Sequence, residues 1–411
     1  MSATPTTVLA SLKEEWSDDK LVPQIYEGGP FLANVERTEK FNVGDKVIGA
    51  ITEHRTGGIS VVPTAGSSAL NPAGNVGMRQ FQYDLVTDIV QVKAELGAIL
   101  KTGGKAQAVA EVLDTEVESA VQEARKHKTR QIFSDQTALI AKCGTTNGSN
   151  EVELDPAQGY AALVRDWLHV SMTVDIGTTS VEDDIAAGVR IEAVEISEST
   201  PSITISGSTV STDSDDYVSI ANARDGTTSY ESNGLRNIIG SGALGGLSGG
   251  RWAAAAVDTS TTSLTLQALN DMHRKIRMQV GGQRGESAGY KVYMSYLQHQ
   301  RFDDEQRVQL RFGGETAIDA KGFEFTKYNG MEIYSEPDIR DSDVFFVNMK
   351  DLFLAVGNGA GFGASGWLQN PGGGASLKWQ EGTTAFADAF YYTGNLCARR
   401  RSRMGAFTAL T

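Results

Sequence analysis

The sequence predicts an α+β fold with outlying parts that a lone subunit cannot cover. Three observations carry this. Residues 104–142 contain no proline and no internal glycine, and Val109, Leu113, Val117, Val121 and Ala124 fall on one helical face. Before them lies a long ribbon: a strand over Asp45–Glu53, a return over Met78–Leu96, and a tip rich in Gly, Ser, Pro and Asn. After them, strand and helix patterns mix without a βαβ rhythm.

Taken in order, Pro5–Trp16 reads as a short helix with Thr6 or Thr7 as cap and Val8, Leu9 and Leu12 as its apolar side. Leu21–Arg37 reads as extended and irregular, so the first forty residues form an arm in need of something to pack against. The ribbon alternates at Phe81, Tyr83 and Leu85, then at Ile89 and Val90. An isolated two-stranded ribbon is marginal in water, and its edges invite pairing with other chains. The long helix would reach roughly 50–60 Å at about 1.5 Å per residue, and Cys143–Asn150 ends it.

Asp155–Val170 reads as a further helix. Asp175–Asp225 then changes character: it is rich in Thr, Ser, Asp and Glu, with β-type runs at Val189–Ile196, Ser202–Ser206 and Tyr217–Ala221. It reads as a small all-β insertion, with a disordered acidic loop as the competing reading. Gly234–Gly250 reads as a flexible loop, Leu264–Val280 as an amphipathic helix, Tyr290–Ser295 as a strand and Tyr296–Phe302 as a helix. Phe325–Glu336 and Val344–Val347 read as strands, and Ala385–Leu410 as a closing β-rich segment.

Charge narrows the function. Fifty-one Asp and Glu against 37 Lys and Arg give a net −14. Such a chain is repelled by polyanions at long range, so any contact with nucleic acid must be local. The two cysteines, Cys143 and Cys397, form no CxxC pair and fit a reducing cytoplasm rather than a zinc site or a disulfide framework. The N-terminus lacks the basic start and apolar run of a secretory signal, and no stretch is long enough to span a bilayer.

No catalytic, cofactor or metal site is expected. Gly246-Leu247-Ser248-Gly249-Gly250 matches a nucleophile elbow but lacks the flanking strand and helix. Gly240–Gly245 matches a dinucleotide loop, but more glycine follows where a helix is required. Gly103-Gly104-Lys105 is a helix entrance without the rest of a phosphate loop. Asp213, Asp215 and Asp216 lack the glycine and closing glutamate of a calcium loop. His54, His127, His169, His273 and His299 have no histidine partner at helical spacing. Two basic clusters stand out. Arg125, Lys126, Lys128 and Arg130 lie within the long helix and would either touch phosphates at short range or form a solvated face of intrahelical ion pairs. Arg399–Arg401 with Arg403 reads as a set of subunit contacts.

The order of elements resembles the major capsid proteins of tailed bacteriophages of the Hong Kong 97 type. Leu269–Val280 followed by Tyr290–Leu297 is similar to that family's helix-then-strand in the axial domain. Phe325–Asp338, with Tyr328-Asn329-Gly330 at its turn, is similar to its characteristic strand pair, and Phe345–Leu354 and Asn395–Gly405 to its late strands. The resemblance implies an N-terminal arm (1–41), an extended loop with peripheral strands (42–97), a spine helix and peripheral domain (98–174), a β-rich insertion (175–230), an axial domain (231–384) and a C-terminal β-rich segment (385–411).

It further implies hexamers and pentamers closing into an icosahedral head around double-stranded DNA, in a virion assembled in the host cytoplasm. Arg125, Lys126, Lys128 and Arg130 would then lie on the inner face, near the packaged genome. The implied partners are further copies of the chain, a separate scaffolding protein, a portal, a decoration protein and non-specifically held DNA, with no membrane. An encapsulin-like compartment shell is the alternative. From Val47 to Val92 there is no lysine, which argues against covalent locking through a loop lysine.

Overall fold

The computed structural model of the chain describes residues 26, 29–54, 75, 77–95, 106–178, 184–207, 209–225, 228–249, 252–280, 290–309, 316–318, 324–357, 367–369, 378–379 and 385–411. The expected helix over Pro5–Trp16, the ribbon tip and Gly103-Gly104-Lys105 lie outside these. The fold is α+β, as the sequence predicts.

Helix α1 (Pro30–Asn34) starts on a proline whose missing N–H no helix start requires. Phe31 and Leu32 are buried, and the Phe31 ring meets Phe133 and Tyr293 edge-on at 5.6 and 5.2 Å. This part of the expected arm is therefore docked into its own subunit. Strands β1 (Lys46–His54) and β2 (Gly77–Asp84) form the hairpin, and β3 (Val86–Glu95) follows. The return was expected as one strand. It is two, because the chain changes sheets at Leu85, whose amide donates to Asp45 O.

Helix α2 (Ala106–Phe133) spans 28 residues, about 42 Å at 1.5 Å each. It stops nine residues before Lys142, the expected end. Gln136 and Ala138 adopt left-handed backbone conformations, φ 69° and 62°, which turn the chain into strand β4 (Leu139–Lys142). Strand β5 (Glu151–Glu153) comes next. Helix α3 (Pro156–Val164) is shorter than expected and is capped by Asp155, which accepts from the amides of Ala157 and Gln158. Strands β6 (Thr173–Thr178), β7 (Asp184–Glu195), β8 (Ser202–Ile205) and β9 (Asp216–Ile220) complete the insertion.

The six strands of this unit run in the order β4-β9-β6-β7-β8-β5, each antiparallel to its neighbour. An additional bridge between Cys143 and Leu154 joins the two end strands, so the sheet curls back on itself. The β unit is thus larger than the expected 175–230, reaching back to Leu139. Its core, including Val152, Leu163, Val174, Ile176, Ile191, Ile203 and Val218, is drawn wholly from residues 140–218. The described strands of the acidic stretch are held by residues such as Ile176, Ile191, Ile203 and Val218, which point into this core.

Beyond it lie α4 (Leu235–Ile238), α5 (Leu266–Val280), β10 (Tyr290–Met294), α6 (Tyr296–Gln309), β11 (Glu324–Tyr328), β12 (Met331–Ser335), β13 (Val344–Asn348), β14 (Leu352–Val356), β15 (Ala385–Ala398) and β16 (Gly405–Phe407). Strands β16-β13-β10-β12-β11 form the middle of a seven-stranded mixed sheet edged by Ala256–Asp258 and Thr316–Ile318, in which β10 runs parallel to β12 and Ala256–Asp258 parallel to β16. Helix α5 covers it with Leu269, Met272 and Ile276. The β11–β12 turn uses Asn329 and Gly330 at positive φ, the pairing a tight hairpin turn demands. Strand β15 joins the remaining parts: along its length it pairs antiparallel with β3 on one side and β14 on the other.

Because the β unit owns its core, a cavity made there should affect it alone. Ile176→Ala, at a fully buried site, is expected to cost about 2–5 kcal/mol. Calorimetry should show two transitions, with only one lowered by this change. A single transition moving as a whole would contradict the division.

Candidate functional site

The hairpin β1–β2 changes environment along its length. Near its base one face is covered: Val47, Phe81 and Tyr83 are buried with Leu247, Trp252, Phe353, Ala355 and Cys397. Phe81 stacks on Trp252 at 6.1 Å. Its ring lies directly over Gly49, where any Cβ would sit 2.2 Å from the ring carbon. Further out the cover thins, with Ile51 half-buried against the same cluster. Met78 is 71% exposed, and Arg79, Gln80, Ala50 and Thr52 are exposed as well. Among the described residues the ribbon is therefore packed at its base and exposed at Met78–Gln80.

The glycine-rich stretch after α4 holds the anchor. It was expected to be flexible, but it is pinned. The Gln82 amide donates to Gly245 O at 2.9 Å, and Trp252 Nε1 donates to Leu244 O at 2.9 Å. Arg401 explains the loop's course. Its guanidinium is buried and donates to the carbonyls of Asn237, Ile238, Gly240 and Gly242. Several of these are orphaned by the end of α4, and a cation there also opposes the helix dipole. Arg401 was expected among subunit contacts and serves this internal role instead. Ser248, in the elbow-like motif, is exposed with no flanking helix.

The basic cluster of α2 divides. Lys128 and Arg130 are buried, while Lys126 is half-buried and Arg125 exposed. Lys128 Nζ donates to Asp88 of β3 at 2.9 Å and to Gln131 at 3.0 Å, and lies 3.8 Å from the centre of the Tyr392 ring. Burial disfavours an ionised Asp88, yet Lys128 and the His127 imidazole outweigh it and hold the carboxyl well below the usual carboxylate range. Burial likewise pulls Lys128 down from its ordinary value, and Asp88 opposes that. At 2.9 Å with an ionised carboxylate, the pair is charged. Arg130 pairs with buried Glu231. Buried and ion-paired, neither Lys128 nor Arg130 presents a free cation to solvent, contrary to the expectation that they face phosphates. Lys126 itself approaches Asp338 at 3.5 Å.

A second carboxyl lies under α1. Glu336 is buried and accepts from the Phe31 amide at 3.0 Å. Burial pushes it up to about 8, the Phe31 amide opposing and Asp338 adding to the rise. The remaining candidates are structural. His127 bonds Gln131, His169 faces Glu123 at 2.9 Å, His299 faces Asp303, and buried His273 is lowered by desolvation. The side chain of His54 lies outside the described residues. Asp213 and Asp216 close their own turn, Asp216 accepting from the Asp213 amide at 2.7 Å. Among the described residues no group of three or more His, Cys, Asp or Glu is placed to hold a metal, and no helix is long and apolar enough to cross a membrane.

No family model and no curated protein matches the sequence. The structure does find counterparts. It is similar to the capsid subunit of cyanophage A-1(L), with TM-score 0.51 and 11% identity over 93% of both chains. The chain has the Hong Kong 97-type capsid fold. Other structures that resemble it more distantly are an encapsulin complex of Synechococcus elongatus PCC 7942 (TM-score 0.47, 7% identity, 98% of this chain and 95% of that one) and Mycobacterium phage Patience (TM-score 0.44, 8% identity, 100% and 91%). Within this Hong Kong 97-type fold, the base packing of the hairpin was not legible in the sequence. The aromatic pair Phe81 and Tyr83 alternates visibly, but its partners Trp252 and Phe353 lie far along the chain.

Two outcomes follow. Lys128→Ala strands a buried carboxylate and should cost about 3–5 kcal/mol, while Lys128→Met with Asp88→Leu should recover part of that loss in denaturant titrations. An equal loss in the double variant would refute the ion-pair account. For Glu336, the folded state keeps a proton that the unfolded state has released between its ordinary 4.5 and about 8. Stability should therefore fall as pH rises through that window and level off above it. Glu336→Gln should flatten this slope, gaining on the order of a few kcal/mol at pH 8.5 and little at pH 4.5.

Proposed function

We propose that this chain is the major capsid protein of a tailed bacteriophage, which assembles as hexamers and pentamers into an icosahedral head around double-stranded DNA. The observation that carries the proposal is the hairpin. Its base is packed with aromatic side chains, while Met78, Arg79 and Gln80 are exposed among the described residues. Such a ribbon gains stability only when another copy lies beneath it, as in obligate interfaces of roughly 2,000 Å² or more.

The domain scheme follows on the same reading. Helix α2 is the spine, β3 with β15 the peripheral sheet, the β10–β13 sheet with α5 and α6 the axial domain, and residues 139–220 an added surface domain. Arg125 and Lys126 are the members of the basic cluster left to meet packaged DNA. The partners are further copies of the chain, a separate scaffolding protein, a portal and a decoration protein. The place of work is the virion, built in the host cytoplasm.

Replacing Thr52–Gln80 by a short turn removes the outer ribbon and leaves Phe81 in place. That variant should remain soluble and fail to form shells, whereas the unaltered chain gives icosahedral particles tens of nanometres across in negative stain. Normal particles from the shortened chain would overturn the proposal. The content of purified particles separates the two kinds of shell: nucleic acid supports a phage head, and protein cargo an encapsulin-like compartment.

A further inference from the structure

Between the inner side of the hairpin and the ends of β13, β14 and β15 lies an open cleft of about 400 Å³. One wall is Ala50, Ile51 and Thr52 of β1. The floor is aromatic, with Phe41 and Phe81. The opposite wall carries Lys350, Arg399, Arg400 and Arg403, with Asp351 and Asn348 between them. Four cations converge here in a chain of net charge −14.

Their internal pairing is uneven. Arg399 reaches Glu36 at 3.2 Å and lies 5.4 and 5.0 Å from the Phe41 and Phe353 ring centres. Arg403 reaches Asp351 at 3.6 Å, and Asp351 also accepts from Asn348 at 2.9 Å. The single carboxylate in the cleft is thus already engaged. Lys350 and Arg400 are exposed, and neither side chain has a partner among the described residues. The Arg399 guanidinium, lying over two rings, is restrained in position, which favours recognition of a carboxylate.

We propose that this cleft receives a carboxylate-bearing segment of a second copy of the chain, seated under the hairpin of the first. This rests on the assembly reading given above and assigns part of its chemistry. Charge complementarity favours this occupant, because each copy carries 51 acidic residues against 37 basic ones. Continuity favours it too, because one wall of the cleft is the hairpin itself. A few aligned carboxylates would satisfy Lys350 and Arg400 while excluding water from Phe41 and Ile51, where the local attraction strengthens.

The test uses particles assembled from an equal mixture of unlabelled and ¹⁵N-labelled subunits, treated with a carbodiimide that joins Lys350 to a touching carboxylate. Mass spectrometry should find Lys350 peptides joined to acidic peptides of the other isotope. Links within one isotope only would overturn the proposal by placing the occupant on the same chain. The double variant Lys350→Glu with Arg400→Glu should unfold like the unaltered chain but lower particle yield at least tenfold at moderate salt. Full yield with normal contents would overturn it, and full yield with loss of packaged nucleic acid would overturn it in favour of a phosphate-facing cleft. If the unaltered chain forms no particles, the assembly reading itself fails, which is a distinct result.

Discussion

The contact between Lys128 and Asp88 is the constraint that sets how the subunit's layers meet. Helix α2 has to lie on the sheet formed by β3 and β15, and that sheet presents a carboxylate and the Tyr392 ring at the crossing point. A buried ammonium satisfies both at once. Gln131, Ser232 and His127 complete the arrangement, so no polar atom of the pair is left without a neighbour. Burying two charges is costly in isolation and tolerable only with such geometry. The consequence is register. A helix held by apolar contacts alone can slide by a turn, whereas one held by a buried ion pair has a single position. Gly234 reinforces this: a Cβ there would lie 2.2 Å from Ser134 O and 2.4 Å from Gln131 O, so the segment before α4 presses on the last turn of α2.

From that crossing the rest follows mechanically. Strand β15 continues from β3 to β14, and β14 lies beside the short strand Arg37–Thr38 that leads from α1. The same C-terminal end of β15 leads into Arg401, whose guanidinium gathers the carbonyls that shape the glycine-rich loop. That loop and Trp252 then support the base of the hairpin. The base of the hairpin is therefore placed by a chain of buried polar contacts starting at α2 together with the aromatic packing on Trp252, and not by its own strand pairing alone, which would be marginal.

Much of the fold was legible in the sequence because it depends on local periodicity. Val121 and Ala124 mark the inner face of α2, Leu269, Met272 and Ile276 that of α5, and Asn329-Gly330 the β11–β12 turn. What escaped has a common physical cause. The end of α2 is set by Gln136 and Ala138 in left-handed conformations, which no glycine announces. The break at Leu85 exists because β3 finds a better partner in β15, some three hundred residues on. Arg130 looks like a solvated cation until Glu231, 101 residues away, is brought against it. Lys128 differs from Lys126 only in which side of the helix it occupies relative to β3. Sequence reasoning sees a cation's neighbours on its own helix, and these cations are governed by neighbours on other elements. The Arg399–Arg403 run shows the same division: Arg401 is internal, Arg400 faces outward, and adjacency in sequence says nothing of which is which.

The net charge bears on how such a subunit could associate with itself. Copies at −14 repel at long range, but at physiological salt the Debye length is about 8 Å, so the repulsion fades beyond the closest contacts. What remains decisive is whether charges meet their opposites where surfaces touch. A protein with uniformly acidic surfaces would need apolar area alone to hold copies together. Here Lys350, Arg399, Arg400 and Arg403 converge beside the hairpin in a chain with more carboxylates than cations. A concave group of cations on an acidic chain can oppose general repulsion with a directional contact. Orientation, rather than affinity, is what a closed shell demands most of its contacts, since each subunit must meet its neighbours at the same angle.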